Sequence, residues 1–262
     1  MSLYRNSIFQ GGWFSFNANK ENWPKIAEQM YDYFFGSVLL DDTFGESTIT
    51  DEIFLKSNLN FDFAKDKSVL VIGGGPSSKN LNDETIKSYD LVFSCNHFFK
   101  NNFLKKYKID LALIGDEVNF NDKDFVDYVN KYNPMLGFEH SSTRSMADLI
   151  SLKENYANCF IYLTRYFSRL GLAPRACILA RLFGATKVDF IGVDGFSKGD
   201  DYHFFENSKA PPPFDDTQKF QENMRSFCEY MLKDLKIKSE NFNDLSKNNI
   251  YQGILDEAKS KL

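Results

Sequence analysis

Two aspartates each follow an apolar run in this sequence: Asp116 in LALIGDEVNF and Asp194 in FIGVDGF. Carboxylates placed like this can hold Mg²⁺ for a pyrophosphate transfer, bind a sugar hydroxyl, or take a proton as general base. A further run, SVLVI, breaks into Gly73, Gly74, Gly75, Pro76, Ser77 and Ser78. Such glycines can adopt positive φ and let a ligand approach the backbone. With the serine hydroxyls and the amide N–H groups, they can form an anion nest for phosphate. Asn96 and His97 close the run LVFSC, and Tyr202 and His203 lie in GDDYHF. Groups suited to a phosphate-bearing ligand thus recur where apolar runs end.

The glycine turn is not a dinucleotide fingerprint. Against G-x-G-x-x-G it supplies Gly73 and Gly75, but Ser78 stands where the third glycine belongs. The next apolar run ends Cys95-Asn96-His97 rather than in an acid for a ribose hydroxyl, and no P-loop Lys-Ser/Thr pair is present. The expected ligand is therefore phosphate-bearing but not NAD. The four cysteines, Cys95, Cys159, Cys177 and Cys228, form no C-x-x-C pair and no zinc spacing with histidine. They are read as reduced thiols, and no metal site is assigned from them. His140 in FEHSSTR could line an acceptor side. Among the arginines, Arg175 follows Pro174 at an expected helix start and suits an anionic substrate.

These residues need elements to position them. Short apolar runs at Ser68–Ile72, Leu91–Cys95, Leu111–Ile114, 159–163 and 187–193, with a weaker one at 135–138, alternate with segments of helical spacing at 122–132, 143–156 and 174–184. Strands alternating with helices predict an α/β fold: a Rossmann-like, mainly parallel sheet flanked by helices. A helical stretch at 216–234 then leads to a last strand near 237–241. Residues 1–66 read as an N-terminal extension packed on the core, 67–249 as the nucleotide-binding domain, and 250–262 as a C-terminal helical tail. Within the extension, 23–35 has an amphipathic helical spacing. Segment 197–216, with its acidic pairs and APPPF, reads as a mobile loop able to close over a ligand.

Composition narrows the class. A chain of 262 residues, 43% hydrophobic and 16% aromatic, can bury a sizeable core. Its net charge of −5 offers no global field for nucleic acid or an anionic membrane. No apolar run approaches the ~20 residues that span a bilayer, and the first residues lack the apolar stretch of a signal peptide. The expectation is a cytoplasmic protein with no transmembrane segment and no nucleic-acid partner.

The ordered set of GGGPS (73–77), FSCNHF (93–98), GATKVDFIGVDGF (184–196) and GDDYHF (199–204) resembles the bacterial sialyltransferases that decorate surface oligosaccharides. It also resembles a related family of domains typified by archaeal pterin pyrophosphokinase-like and flagellin-glycosylation-associated proteins. FNDLSKNN (242–249) is similar to the motif that follows the last strand in these families. The likeness covers about residues 67–249.

The resemblance implies a nucleotide-activated donor, CMP-linked in the sialyltransferases, and a glycan acceptor. Gly73, Gly75, Pro76 and Ser77 would line its phosphate and ribose, Asn96 would contact the nucleotide, and Tyr202 would touch the departing phosphate. A second family tyrosine is Phe196 here. The place of the family's catalytic histidine falls near Lys219, and a protonated lysine is a poor base. Asp194, Asp116 or His203 must then take the acceptor's proton. Two alternatives share the same residues. One is a phosphoryl-transfer enzyme with Asp116 and Asp194 on Mg²⁺; the other is an inactive nucleotide-binding module.

Overall fold

The computed structural model describes residues 13–16, 20–21, 62–115, 117–139, 146–164, 172–192 and 242–244. Among the described residues eight strands form one sheet: β1 (Trp13–Phe16), β2 (Ser68–Ile72), β3 (Leu91–Cys95), β4 (Leu111–Ile114), β5 (Met135–Glu139), β6 (Cys159–Thr164), β7 (Lys187–Ile191) and β8 (Phe242–Asp244). Their spatial order is β1-β6-β5-β4-β3-β2-β7-β8. Every pairing from β6 across to β8 is parallel. Among the described strands only β1, paired Trp13 to Thr164 through Phe16 to Ile161, is antiparallel. The fold is α/β and Rossmann-like, with helices α1 (Asp83–Lys87), α2 (Lys123–Tyr132), α3 (Met146–Asn155) and α4 (Leu172–Leu182).

Continuous apolar runs such as SVLVI and LALI suit strands covered on both faces. One parity of side chain, including Leu70, Ile72, Val92, Ile114 and Phe138, packs with Phe98, Phe125 and Leu149. The opposite parity, including Val71, Phe93 and Phe190, is equally buried. It faces α4, which lies across β2, β3, β4 and β7. Phe63 stacks on Phe93 and meets Phe183 edge-on, sealing that layer. In β5, Gly137 leaves room for the Phe160 and Tyr162 rings, whose nearest atoms lie 2.8 and 3.1 Å from where its Cβ would sit.

Local chemistry sets the helix limits. The Asp122 carboxylate accepts the Asp124 N–H at 2.9 Å, and Asn133, with φ 45°, ends α2 by donating its N–H to Val129 O at 2.8 Å. The Asn82 side chain accepts the Thr85 N–H and caps α1 in the same way.

Three features depart from expectation. Trp13–Phe16, inside the expected extension, is a strand of the same sheet. The last described strand, Phe242–Asp244, lies later than the expected 237–241. Helix α1, on a short turn between β2 and β3, carried no sequence expectation. The expected helices at 23–35 and 216–234, the closing loop at 197–216 and the tail at 250–262 lie outside the described residues. Among the described residues no helix is long and apolar enough to cross a membrane.

Candidate functional site

The chain builds β2 through β6 outward in one direction, then returns to lay β7 on the other side of β2. Ligands of open parallel sheets bind outside the carboxyl ends of the strands where such a reversal occurs. Here the reversal falls at the glycine turn.

Past Ile72, the Gly73 N–H donates to Ile191 O at 2.8 Å and the Gly75 N–H to Gly192 O at 2.7 Å. The β2 and β7 chains therefore stay bonded beyond the ends of both strands. A Cβ on Gly73 would overlap the Gly192 carbonyl and lie 3.1 Å from Ala173 Cβ; one on Gly192 would overlap the Gly73 carbonyl and lie 3.1 Å from Ser78 Cβ. Gly192 has φ +73°, whereas Gly75 sits at φ −72° in extended conformation. The expected anion nest is corrected in this respect. The Gly73 and Gly75 amides are spent inside the fold, and the turn uses the missing Cβ rather than positive φ. Among the described residues nothing accepts the Gly74 N–H.

Pro76 and Ser77 open a 3₁₀ turn, Pro76–Asn80. Within it the Ser78 N–H donates to Gly75 O at 3.1 Å. The Ser78 side chain is 2% exposed, and its Oγ has no hydrogen-bond partner among the described residues. Ser94 Oγ donates to Ile72 O at 2.8 Å and ties β3 to the strand that carries the turn.

At the end of β3, Asn96 adopts φ +46°, a left-handed conformation that asparagine tolerates better than most residues. Its Oδ1 accepts the Gly115 N–H at 2.8 Å, and its Nδ2 donates to Glu117 Oε2 at 3.3 Å. The neighbouring His97 hydrogen-bonds the Glu117 backbone. Asn96 and His97 thus clamp the loop that leaves β4. Burial holds the His97 pKa below its ordinary value, against the opposing pull of Glu117 and Asp122 and with help from Lys100. The half-buried Cys95 thiol is pushed up to about 12, by burial first and then by the Glu117 charge, while Arg175 acts in the opposite direction. It is a protonated thiol at neutral pH, not a nucleophile.

Arg175 lies on α4 and is 3% exposed. Leu172 and Ala173, at the start of the same helix, lie close to Gly115 and Gly73. The helix start therefore reaches the carboxyl ends of β2 and β4, with a buried cation whose charge is felt at the end of β3.

Of the residues singled out in the sequence, the fold gathers Gly73, Gly74, Gly75, Pro76, Ser77, Ser78, Asn96, His97 and Arg175 at this end of the sheet. Asp116, Asp194, Tyr202 and His203 lie outside the described residues, as do His140, Phe196 and Lys219. Glu117 and Gly192 were not anticipated. Their sequence signals are slight: Glu117 directly follows Asp116, and Gly192 is one more glycine after an apolar run. No protein-family model matches the chain, and no curated protein matches it.

Proposed function

We propose that the chain is a glycosyltransferase that draws on a nucleotide-activated sugar, CMP-linked as in the sialyltransferases its motifs resemble, to modify a surface glycan. The observation that carries this reading is Ser78, a buried hydroxyl at the strand reversal that has no partner among the described residues. A buried hydroxyl left unbonded costs about 1–3 kcal/mol, a cost that a phosphate oxygen at this turn would offset. The Gly74 N–H offers a second donor, and the buried Arg175 favours negative charge at this end of the sheet.

In this reading the protein orients the donor and stabilises the phosphate as it departs. Ser78, the Gly74 N–H and Tyr202 supply donors to the leaving group. Asp194, or in its place Asp116 or His203, takes the acceptor proton, and the deprotonated acceptor oxygen attacks the sugar's anomeric carbon as the nucleotide leaves.

The test is thermal stabilisation of the full chain by CMP, CDP, UDP, GDP and ATP, with and without Mg²⁺, repeated on Ser78→Ala. Stabilisation by cytidine nucleotides without metal, weakened in the variant, supports the proposal. Stabilisation confined to ATP or GTP with Mg²⁺ replaces it with phosphoryl transfer. Transfer itself is tested with Asp194→Asn, which keeps the shape but not the basicity; general-base loss costs roughly 10²–10⁴ in rate. Near wild-type turnover would acquit Asp194.

A further inference from the structure

Nucleotide sites on parallel sheets commonly hold the ribose with an acid at the end of the strand beside the glycine-turn strand. In this chain that strand is β3, and it ends Cys95-Asn96-His97 with no acid. A carboxylate arrives there from the next loop instead. We infer that Glu117 is the sugar-hydroxyl ligand of this site, its carboxylate accepting hydrogen bonds from the ribose of the bound nucleotide. The inference rests on the nucleotide reading above and specifies which group reads the sugar.

Three contacts bring Glu117 to the end of β3. Gly115 N–H lies on Asn96 Oδ1 at 2.8 Å, Asn96 Nδ2 lies 3.3 Å from Glu117 Oε2, and His97 bonds the Glu117 backbone. Asn96 makes both of its contacts from a left-handed backbone, a conformation that persists where surrounding structure enforces it and that is enriched at ligand sites.

The chemistry fits a diol. An ionised carboxylate has about four acceptor directions and no donor. Asn96 uses one of them at a long 3.3 Å, and Glu117 is exposed. Among the described residues no lysine or arginine forms an ion pair with it. Among the described residues its charge acts on His97, which burial keeps toward the neutral form, and on the protonated Cys95. The carboxylate therefore keeps most of its acceptor directions open, as two neighbouring hydroxyls require. Ser78 and the Gly74 N–H sit in the turn that follows β2, the strand paired with β3, so phosphate donors and sugar acceptor come from neighbouring strand ends.

The experiment is calorimetric titration of the full chain with CMP, UMP, GMP and AMP, followed by the 2′-deoxy and 3′-deoxy forms of the tightest. Wild type is expected to favour the ribonucleotide about tenfold or more over at least one deoxy form. Glu117→Gln is expected to bind the ribonucleotide about as weakly as wild type binds that deoxy form, to leave deoxy binding unchanged, and to melt at the wild-type temperature. A variant that weakens ribo and deoxy forms alike, or neither, overturns the assignment while nucleotide binding stands. Binding by none of the four overturns the nucleotide reading and this assignment with it. Should Glu117→Gln not fold, Glu117→Asp, which withdraws the carboxylate by one methylene, is held to the same loss of discrimination.

Discussion

Gly73 and Gly192 cross so closely that a Cβ on either would overlap the other's carbonyl, with the carbonyl carbons at 2.9 and 2.8 Å from the added atoms. Both contacts are backbone to backbone, so neither can be relieved by a rotamer change. Gly192 also has φ +73°, which costs an L-residue about 1–2 kcal/mol. Gly137 differs in kind, since its added Cβ meets Leu113 Cδ2 at 2.7 Å and Phe160 Cζ at 2.8 Å, both side-chain ends. Gly192→Ala and Gly73→Ala are therefore expected to lower the denaturation midpoint more than Gly137→Ala, whose overpacking costs roughly 1–3 kcal/mol. Urea titration with slopes compared across the three variants checks this; a Gly137→Ala protein that is the least stable would contradict it.

That crossing marks the limit of what the sequence discloses. The inner strands were legible because burial on both faces forces unbroken apolar runs, and α2 because the helical spacing of 122–132 is a local pattern. Trp13–Phe16 was not, because an edge strand is defined by β6, well over a hundred residues away in sequence. The glycine turn could be located but not explained. The sequence shows a glycine without showing whether freedom of φ or absence of a Cβ is being used, and the answer lay in Gly192. Glu117 stayed hidden for a similar reason. Its approach to β3 depends on a left-handed Asn96, a backbone state that no spacing reveals.

Asn96 itself can be dissected. Asn96→Gly keeps the left-handed conformation at less strain but removes the amide that holds Gly115 and Glu117. Asn96→Ala removes the amide and adds strain. The expected order of stability is wild type, then Gly, then Ala, with about 1 kcal/mol for the lost bond to the Gly115 N–H and about 1 more for the left-handed alanine. Denaturation midpoints decide it; an Asn96→Ala protein as stable as Asn96→Gly would mean that the backbone relaxes out of the left-handed region.

His97 gives the fold a pH dependence of definite sign. Its pKa is held below the ordinary 6.5, by burial first, so the folded state binds fewer protons there than the unfolded chain. Stability from this group is fully present above 6.5 and is lost as pH falls through the folded value. Wild type should therefore lose more melting temperature than His97→Gln between about pH 7.5 and about pH 5. Carboxylates contribute to both proteins, so the difference isolates the imidazole. Parallel profiles would show that the ring is not depressed in the folded state.

In the middle of β7, Asp189 is fully buried, accepts the Tyr89 hydroxyl at 2.5 Å, and lies 3.0 Å from Lys187 Nζ. The lysine also sits over the Tyr89 ring, 4.8 Å from its centroid. Burial and then the bond and charge of Asp189 hold the phenol pKa well above its ordinary 10.0, so Tyr89 remains a donor. Tyr89→Phe leaves a buried carboxylate short of a partner and should cost about 1–3 kcal/mol. Lys187 is nearly half exposed, so Lys187→Met should cost no more than ~1 kcal/mol. The raised phenol adds a second signature. The folded state keeps a proton that the unfolded chain releases near 10, so this stabilisation is complete below 10.0 and fades as pH rises above it. Wild type should lose its advantage over Tyr89→Phe in that alkaline range, read from urea midpoints at a series of pH values. If instead the gap between the two proteins stays constant there, the phenol is not held above its ordinary value in the folded state.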